Sequence, residues 1–305
     1  MTFVLNRALW TLPILFGVVS LVFLLVHLVP GDPVDLMLGE QAVAADRAKL
    51  RAQLGLDRPL AEQYAAYLRR TLAGDLGVSL QSHEPVGRRI AERYPATGEL
   101  MLGALAVALG VAFPLGVLAA VHHGRWPDRV ASAFAVLGVA LPGFWLGPML
   151  VLVFAIWLDW LPVDGREGWP SLVLPALTLG VALAALLSRM LRAGLVNVLR
   201  DDYIRTARAK GLPERSVLWR HALRNALIPV VTVIGLQVGV LLSGAIVTES
   251  IFDWPGLGSL LLEGIRQRDY PVVQGCVLVI AVSYVTVNLV TDVAYGWFDP
   301  RIRNP

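Results

Sequence analysis

The chain holds two lysines, Lys49 and Lys210, and each follows an alanine, Ala48 and Ala209. A phosphate-binding loop needs a Gly-Lys pair, because the glycine lets backbone N–H groups wrap the phosphates while the lysine reaches the terminal ones. ATP hydrolysis within this chain by that route is therefore excluded. Peptidase chemistry fares no better, since H-E-x-x-H and G-x-S-x-G are both absent. Cys276 is the single cysteine, which rules out an internal disulfide framework or a Cys-rich metal site. The adjacent His122 and His123 could hold a metal or simply form a hydrated turn. An ion-coupled carrier places ionisable groups inside its spans. Here His27, Glu99, Arg189 and Asp292 all fall at the ends of apolar runs, where interfacial anchoring accounts for them.

The most structured chemistry lies in 200–214, reading RDDYIRTARAKGLPE. Asp201 or Asp202 suits a helix N-cap, with acid at the positive end of the dipole. Arg208 and Lys210 suit the last turn, Gly211 the left-handed position that ends it, and Pro213 the first turn of a second helix. The segment reads as two short helices broken at Gly211. Tyr203, Ile204 and Ala207 share one face by i, i+3, i+4 spacing, and the small residues Thr206, Ala207 and Ala209 allow close approach. Such a helix could dock into a groove on another protein or pack on its own bundle.

These residues must be positioned by membrane helices. Of 305 residues, 56% are hydrophobic and 16% charged, with a mean hydropathy of +0.64. That leaves too little polar surface for a water-soluble body, so a soluble enzyme, a disordered chain or a nucleic-acid binder does not fit. Six uncharged runs, 8–31, 100–124, 130–158, 168–188, 225–248 and 270–291, each have the roughly 20 residues that a crossing needs. The first reads as an uncleaved signal anchor, since no small-x-small cleavage site follows it. The expected fold is an all-α membrane protein of six transmembrane helices.

Lys and Arg set the expected orientation. Both termini with the 122–129 and 189–225 loops hold 14 of them, against 3 in the short loops of the other side. By the positive-inside rule both termini are cytoplasmic and the 30–96 segment lies outside. The basic pI of about 9.2 thus reflects topology rather than a nucleic-acid partner. Trp10, Trp126, Trp157, Trp160, Trp169, Trp254 and Trp297 fall near the expected interfaces. Within 30–96, residues 44–54 and 60–72 read as amphipathic helices, the second through Tyr64, Tyr67 and Leu68. The spacings Gly143-x-x-x-Gly147 and Gly235-x-x-x-Gly239 permit close helix packing, and Pro142 beside Gly143 can kink a span. The organisation expected is an anchor helix at 1–29, an extracytoplasmic segment at 30–96, a transmembrane domain at 97–296 and a tail at 297–305.

The stretch DYIRTARAKGLPERSVLWRHALRNALIP, beginning at Asp202, resembles the cytoplasmic coupling loop of binding-protein-dependent ABC importer permeases. The family pattern is EAA, three residues, then Gly; here Arg205-Thr206-Ala207 and Gly211 occupy those places. Arg205 and Arg224 depart from the general pattern, which has glutamate and proline there, and the wording is similar to the B-type permeases of dipeptide, oligopeptide, nickel and glutathione importers. Pro30-Gly31-Asp32-Pro33, Leu54-Gly55-Leu56-Asp57, Gly74-Asp75-Leu76-Gly77, Trp254-Pro255-Gly256-Leu257-Gly258, Arg268-Asp269-Tyr270-Pro271-Val272 and Asp299-Pro300-Arg301 extend the likeness over nearly the whole chain.

The resemblance implies a type I ABC importer permease fold with a small helical extracytoplasmic segment between helices 1 and 2, in a bacterial inner membrane. It implies a non-catalytic half-channel, without a cofactor of its own, beside a second homologous permease subunit. Two ATP-binding subunits that use ATP and Mg would sit beneath, and an extracytoplasmic substrate-binding protein would deliver cargo. Tyr203, Ile204, Arg205, Thr206, Ala207 and Gly211 would form the coupling helix that enters an ATPase groove. Small peptides, dipeptide or glutathione-like, are the expected cargo, with nickel complexes as the alternative. A self-sufficient carrier and a membrane sensor are the competing classes.

Overall fold

The computed structural model describes residues 2–28, 34, 43, 45, 47, 51–52 and 56–298. The 30–33 and 299–301 motifs and most of the expected 44–54 helix lie outside these residues. The helices are α1 (Thr2–Leu28), α2 (Leu60–Leu72), α3 (Val86–Val121), α4 (Trp126–Ala140), α5 (Gly143–Leu150), α6 (Trp169–Val198), α7 (Asp202–Ala209), α8 (Leu223–Ile251), α9 (Leu257–Gln267) and α10 (Tyr270–Phe298). No strand occurs among the described residues. Four helical stretches are long and apolar enough to cross a membrane, and α4 with 143–157 makes a fifth if that bent pair is one span. The chain forms two compact units, residues 1–95 with 256–285, and residues 96–255 with 286–305.

In the first unit, α2 has the bounds that its tyrosine spacing predicts. It buries no residue of its own, yet its aromatic stripe meets α1: the Phe23 ring centroid lies 5.2 Å from that of Tyr64 and 5.6 Å from that of Tyr67. Tyr64 Oη and Ser20 Oγ are 2.7 Å apart. Helix α9 was not anticipated, although Leu257, Leu260 and Leu261 show helical spacing and are buried. It ends at Arg268, which is left-handed (φ +55), and the next residue, Asp269, is fully buried. The Asp269 carboxylate accepts from Ser79 Oγ (2.5 Å) and the Leu80 amide (3.2 Å), 190 and 189 residues back along the chain.

In the second unit, α6 is the packing centre. A Cβ at Gly180 would stand 2.7 Å from the Ala104 carbonyl oxygen of α3, and one at Gly138 of α4 would stand 2.7 Å from Ala185 Cβ. Helix backbones come this close only where side chains are minimal. The 130–158 run is not one straight helix, because α4 and the 143–157 helix meet at 107°. Leu141 and Pro142 are extended there (ψ 118° and 138°). Proline offers no N–H and disfavours the α conformation in the residue before it, which favours a break here, although α6 and α8 carry Pro175 and Pro229 within continuous helix. An added Cβ at Gly147 would stand 3.3 Å from Ile251 and Phe252, whereas Gly143 faces open space. Gly235 and Gly239 are both buried, and a Cβ at Gly235 would overlap the Thr291 side chain.

Trp254 and Glu249 carry polar groups into the interior of this unit. Trp254, expected at an interface, is only 1% exposed, and its indole N–H donates to the Ala96 carbonyl (2.8 Å). A satisfied indole can enter a core that a bare polar group could not. Glu249 is fully buried and accepts from Thr97 Oγ1 (2.6 Å). Of the other tryptophans, Trp10, Trp126, Trp157, Trp160 and Trp169 are each about 70% exposed or more.

Candidate functional site

The 189–225 region is more helical than the hydropathy runs imply. Charges end an apolar run without ending a helix, so α6 continues to Val198. On the far side, Glu214–Ser216 passes through a π-helical stretch, Val217–Ala222, directly into α8. Pro213 occupies the N-cap just ahead of that helix, one place earlier than expected, and the helix is not short but the start of the next long one. What remains as connector is 199–213, and α7 is its only helix.

Asp201 stands at the N-cap of α7 without a side-chain bond to the helix, and Asp202 occupies the first turn, pairing with exposed Arg205 at 3.4 Å. Acid at this end favours the helix through its dipole. The other end closes as a Schellman motif: the Leu212 amide donates to the Ala207 carbonyl (3.4 Å) and the Gly211 amide to that of Arg208 (2.9 Å). Gly211 has φ +77, where a side chain would be strained, so the glycine meets a conformational demand. Arg208 then forks onto Glu214 (2.7 and 3.3 Å), bracing α7 across that turn.

The structure reverses which face of α7 is available. Ile204 is fully buried and Ala207 is 7% exposed; both belong to the core cluster with Leu191, Leu195, Val217 and Ala222. These two were expected at a partner surface. They are apolar on the amphipathic stripe, and the C-terminal end of α6 and the segment leading into α8 cover them. Tyr203 is partly drawn in as well, its hydroxyl accepting from Asn225 Nδ2 (2.7 Å). The outward face is Asp202, Arg205, Thr206, Arg208 and Ala209, followed by Lys210, Gly211 and Leu212.

A second anchor, unforeseen in the sequence, fixes the 122–129 turn. The Asp128 side chain, 6% exposed, takes both Nε and Nη2 of Arg192 on α6, the Gly124 amide (2.8 Å) and His123 Nδ1 (3.1 Å). Arg192 holds the Asp128 carboxyl well below the usual carboxylate range, and Asp128 raises Arg192 in return. His123 thus faces a carboxylate, while His122 turns away to the Leu118 carbonyl (3.1 Å). Among the described residues no three metal-ligating side chains gather. The one available signal was Asp128 itself, an acid in the first turn of a helix opened by Pro127.

α7 is thus a short helix held against the ends of two long helices, with one polar face open. Residues 112–304 match the family described as the binding-protein-dependent transport system inner membrane component, and residues 1–101 match its N-terminal family. The chain belongs to this family. It is 46% identical over 303 residues to proteins named glutathione transport system permease protein GsiC from Escherichia coli strain K12 and Salmonella choleraesuis strain SC-B67, covering 99% of both chains in each case. The same identity and coverage hold for the GsiC protein of Escherichia coli O6:H1. The chain is therefore a membrane permease component of a binding-protein-dependent transport system, and α7 lies within the segment that carried the resemblance.

Proposed function

We propose that this permease forms half of the translocation path of an ATP-driven importer for small peptides, with glutathione-like tripeptides first. The carrying observation is the 46% identity to GsiC over 303 residues. The path would cross a bacterial inner membrane six times, counting α1 and taking α4 with α5 as one broken span. Both termini and α7 would be cytoplasmic and 30–96 extracytoplasmic, as the basic-residue asymmetry supports. A second homologous permease would complete the path, an external binding protein would deliver the peptide, and two ATP-binding subunits would supply ATP and Mg chemistry. In this reading the outward face of α7, with Arg205, Thr206 and Ala209 at its centre, seats in an ATPase groove. Ile204 and Ala207 serve as its inner attachment. Dimerisation of the ATPases would move α7 together with α6 and α8 as a body, switching the access of the path.

The test is reconstitution of the permease pair, the ATPases and loaded binding protein into liposomes. ATP-dependent uptake of labelled glutathione is expected, and none by this chain alone. Ala209→Trp and Thr206→Trp, both outside the bilayer, should leave membrane levels intact while abolishing ATPase pull-down and substrate-stimulated ATP turnover. Uptake by this chain alone overturns the importer reading, and full coupling in both tryptophan variants overturns the docking face. Uptake of a nickel complex with no peptide uptake overturns the cargo.

A further inference from the structure

Beside the start of α8 lies a groove of about 350 Å³, within the range of small-ligand sites. Phe113, Val117 and Val121 of α3 form one wall, Trp219 of the π-helical turn forms the other, and His122 closes one end. Trp219 is 55% exposed and also borders a second groove with Pro213, Arg215 and Ser216. One indole therefore borders both an apolar slot and a groove that Arg215 helps to line.

The charge around it is one-sided. From Arg215 to Thr248 there is no Asp or Glu, and none from Leu100 to Pro127. The acids that flank these runs in sequence are engaged, Glu214 by Arg208 and Asp128 by Arg192, and Asp202 of α7 pairs with Arg205. Arg215 and Arg220 are exposed and form no ion pair among the described residues. An uncovered indole at a membrane-facing helix end, with a lipophilic slot on one side and free guanidinium on the other, matches an amphiphile carrying negative charge. A zwitterionic headgroup offers a phosphate too, but it would bring its own ammonium beside the exposed Arg215 and Arg220.

We propose that this paired groove holds one anionic phospholipid, its acyl chain along Phe113 to Val121 beneath Trp219 and its phosphate on Arg215. The site rests on the cytoplasmic placement of this end argued above. Its occupancy would press the π-helical turn against α3 and so steady the base from which α7 projects.

The experiment is native mass spectrometry of the assembled complex, released from nanodiscs holding equal amounts of phosphatidylglycerol and phosphatidylethanolamine. The parent should retain phosphatidylglycerol selectively, and Arg215→Gln should lower that retention about fivefold, the usual weight of one basic residue at a membrane surface. Val117→Phe, which fills the slot, should reduce retention of either lipid. Equal retention of the two lipids, or an unchanged preference in Arg215→Gln, overturns the site. So does a photo-crosslinker at position 219 that captures a partner subunit instead of lipid. Because lipid retention is read separately from uptake, failure here leaves the importer reading standing, and failure of uptake leaves this one standing.

Discussion

Ile204 is the residue on which the rigidity of α7 turns. Its side chain is fully buried, and α7 has only eight residues, too few to persist as an isolated helix. Ile204→Ala leaves the outward face unchanged and removes the attachment. Truncating a buried isoleucine to alanine costs about 2 to 4 kcal/mol, transfer and cavity together. Borne by local detachment of α7, that raises the opened population roughly 30- to 700-fold, at 1.4 kcal/mol per factor of ten. Arg205, Arg208 and Lys210 are exposed trypsin sites on or beside this helix, and cleavage of a transiently opened segment tracks its population. Trypsin digestion of the purified protein in detergent should therefore cut 200–212 at least tenfold faster in Ile204→Ala. The control, Thr206→Ala, loses only a side-chain bond to the Asp202 carbonyl on an exposed site, and should cut at the parent rate. Equal rates for Ile204→Ala and parent, with similar melting temperatures, would refute the claim that burial of this side chain holds α7 in place.

Asp128 makes stability depend on acid. Its folded pKa is depressed by Arg192, so the pair's contribution is fully present above about pH 4, the ordinary carboxylate value, and is lost as pH falls from there toward the folded value. Melting temperatures in detergent from pH 7 to pH 3 should fall more steeply for the parent than for Asp128→Asn, which should already be lower at neutral pH; parallel curves would remove the pair from the account. In the other close contact, Gly235→Ala should lower the melting temperature by an overpacking cost of about 1 to 3 kcal/mol, and Thr291→Ala should restore part of it. No recovery in the double variant would mean that the strain lies elsewhere.

Local chemistry determined a good deal from the sequence alone. Uncharged runs located the apolar helices because hydropathy and run length are additive along a chain. Gly211 announced its left-handed turn, since little else adopts that conformation cheaply, and Tyr64 and Tyr67 marked α2 by spacing. The missing Gly-Lys pair excluded one kind of chemistry outright. Tertiary structure alone decided which side of each helix is free. Spacing put Ile204 and Ala207 on one stripe, but a stripe that can enter a partner can equally enter its own core, and only the packing of α6 and the start of α8 around it settles the matter. Trp254 and Glu249 sit where hydropathy suggests a boundary, yet the Ala96 carbonyl and the Thr97 hydroxyl satisfy them inside. Asp128 finds Arg192 64 residues on, and Asp269 finds Ser79 190 residues back, distances at which no helical or strand period carries a signal. The right-angled break at Leu141 and Pro142 lies between these cases. Pro142 marks a place where a helix can end, but Pro175 and Pro229 stand inside α6 and α8, so only the packed structure shows which proline breaks its helix and where the chain then turns.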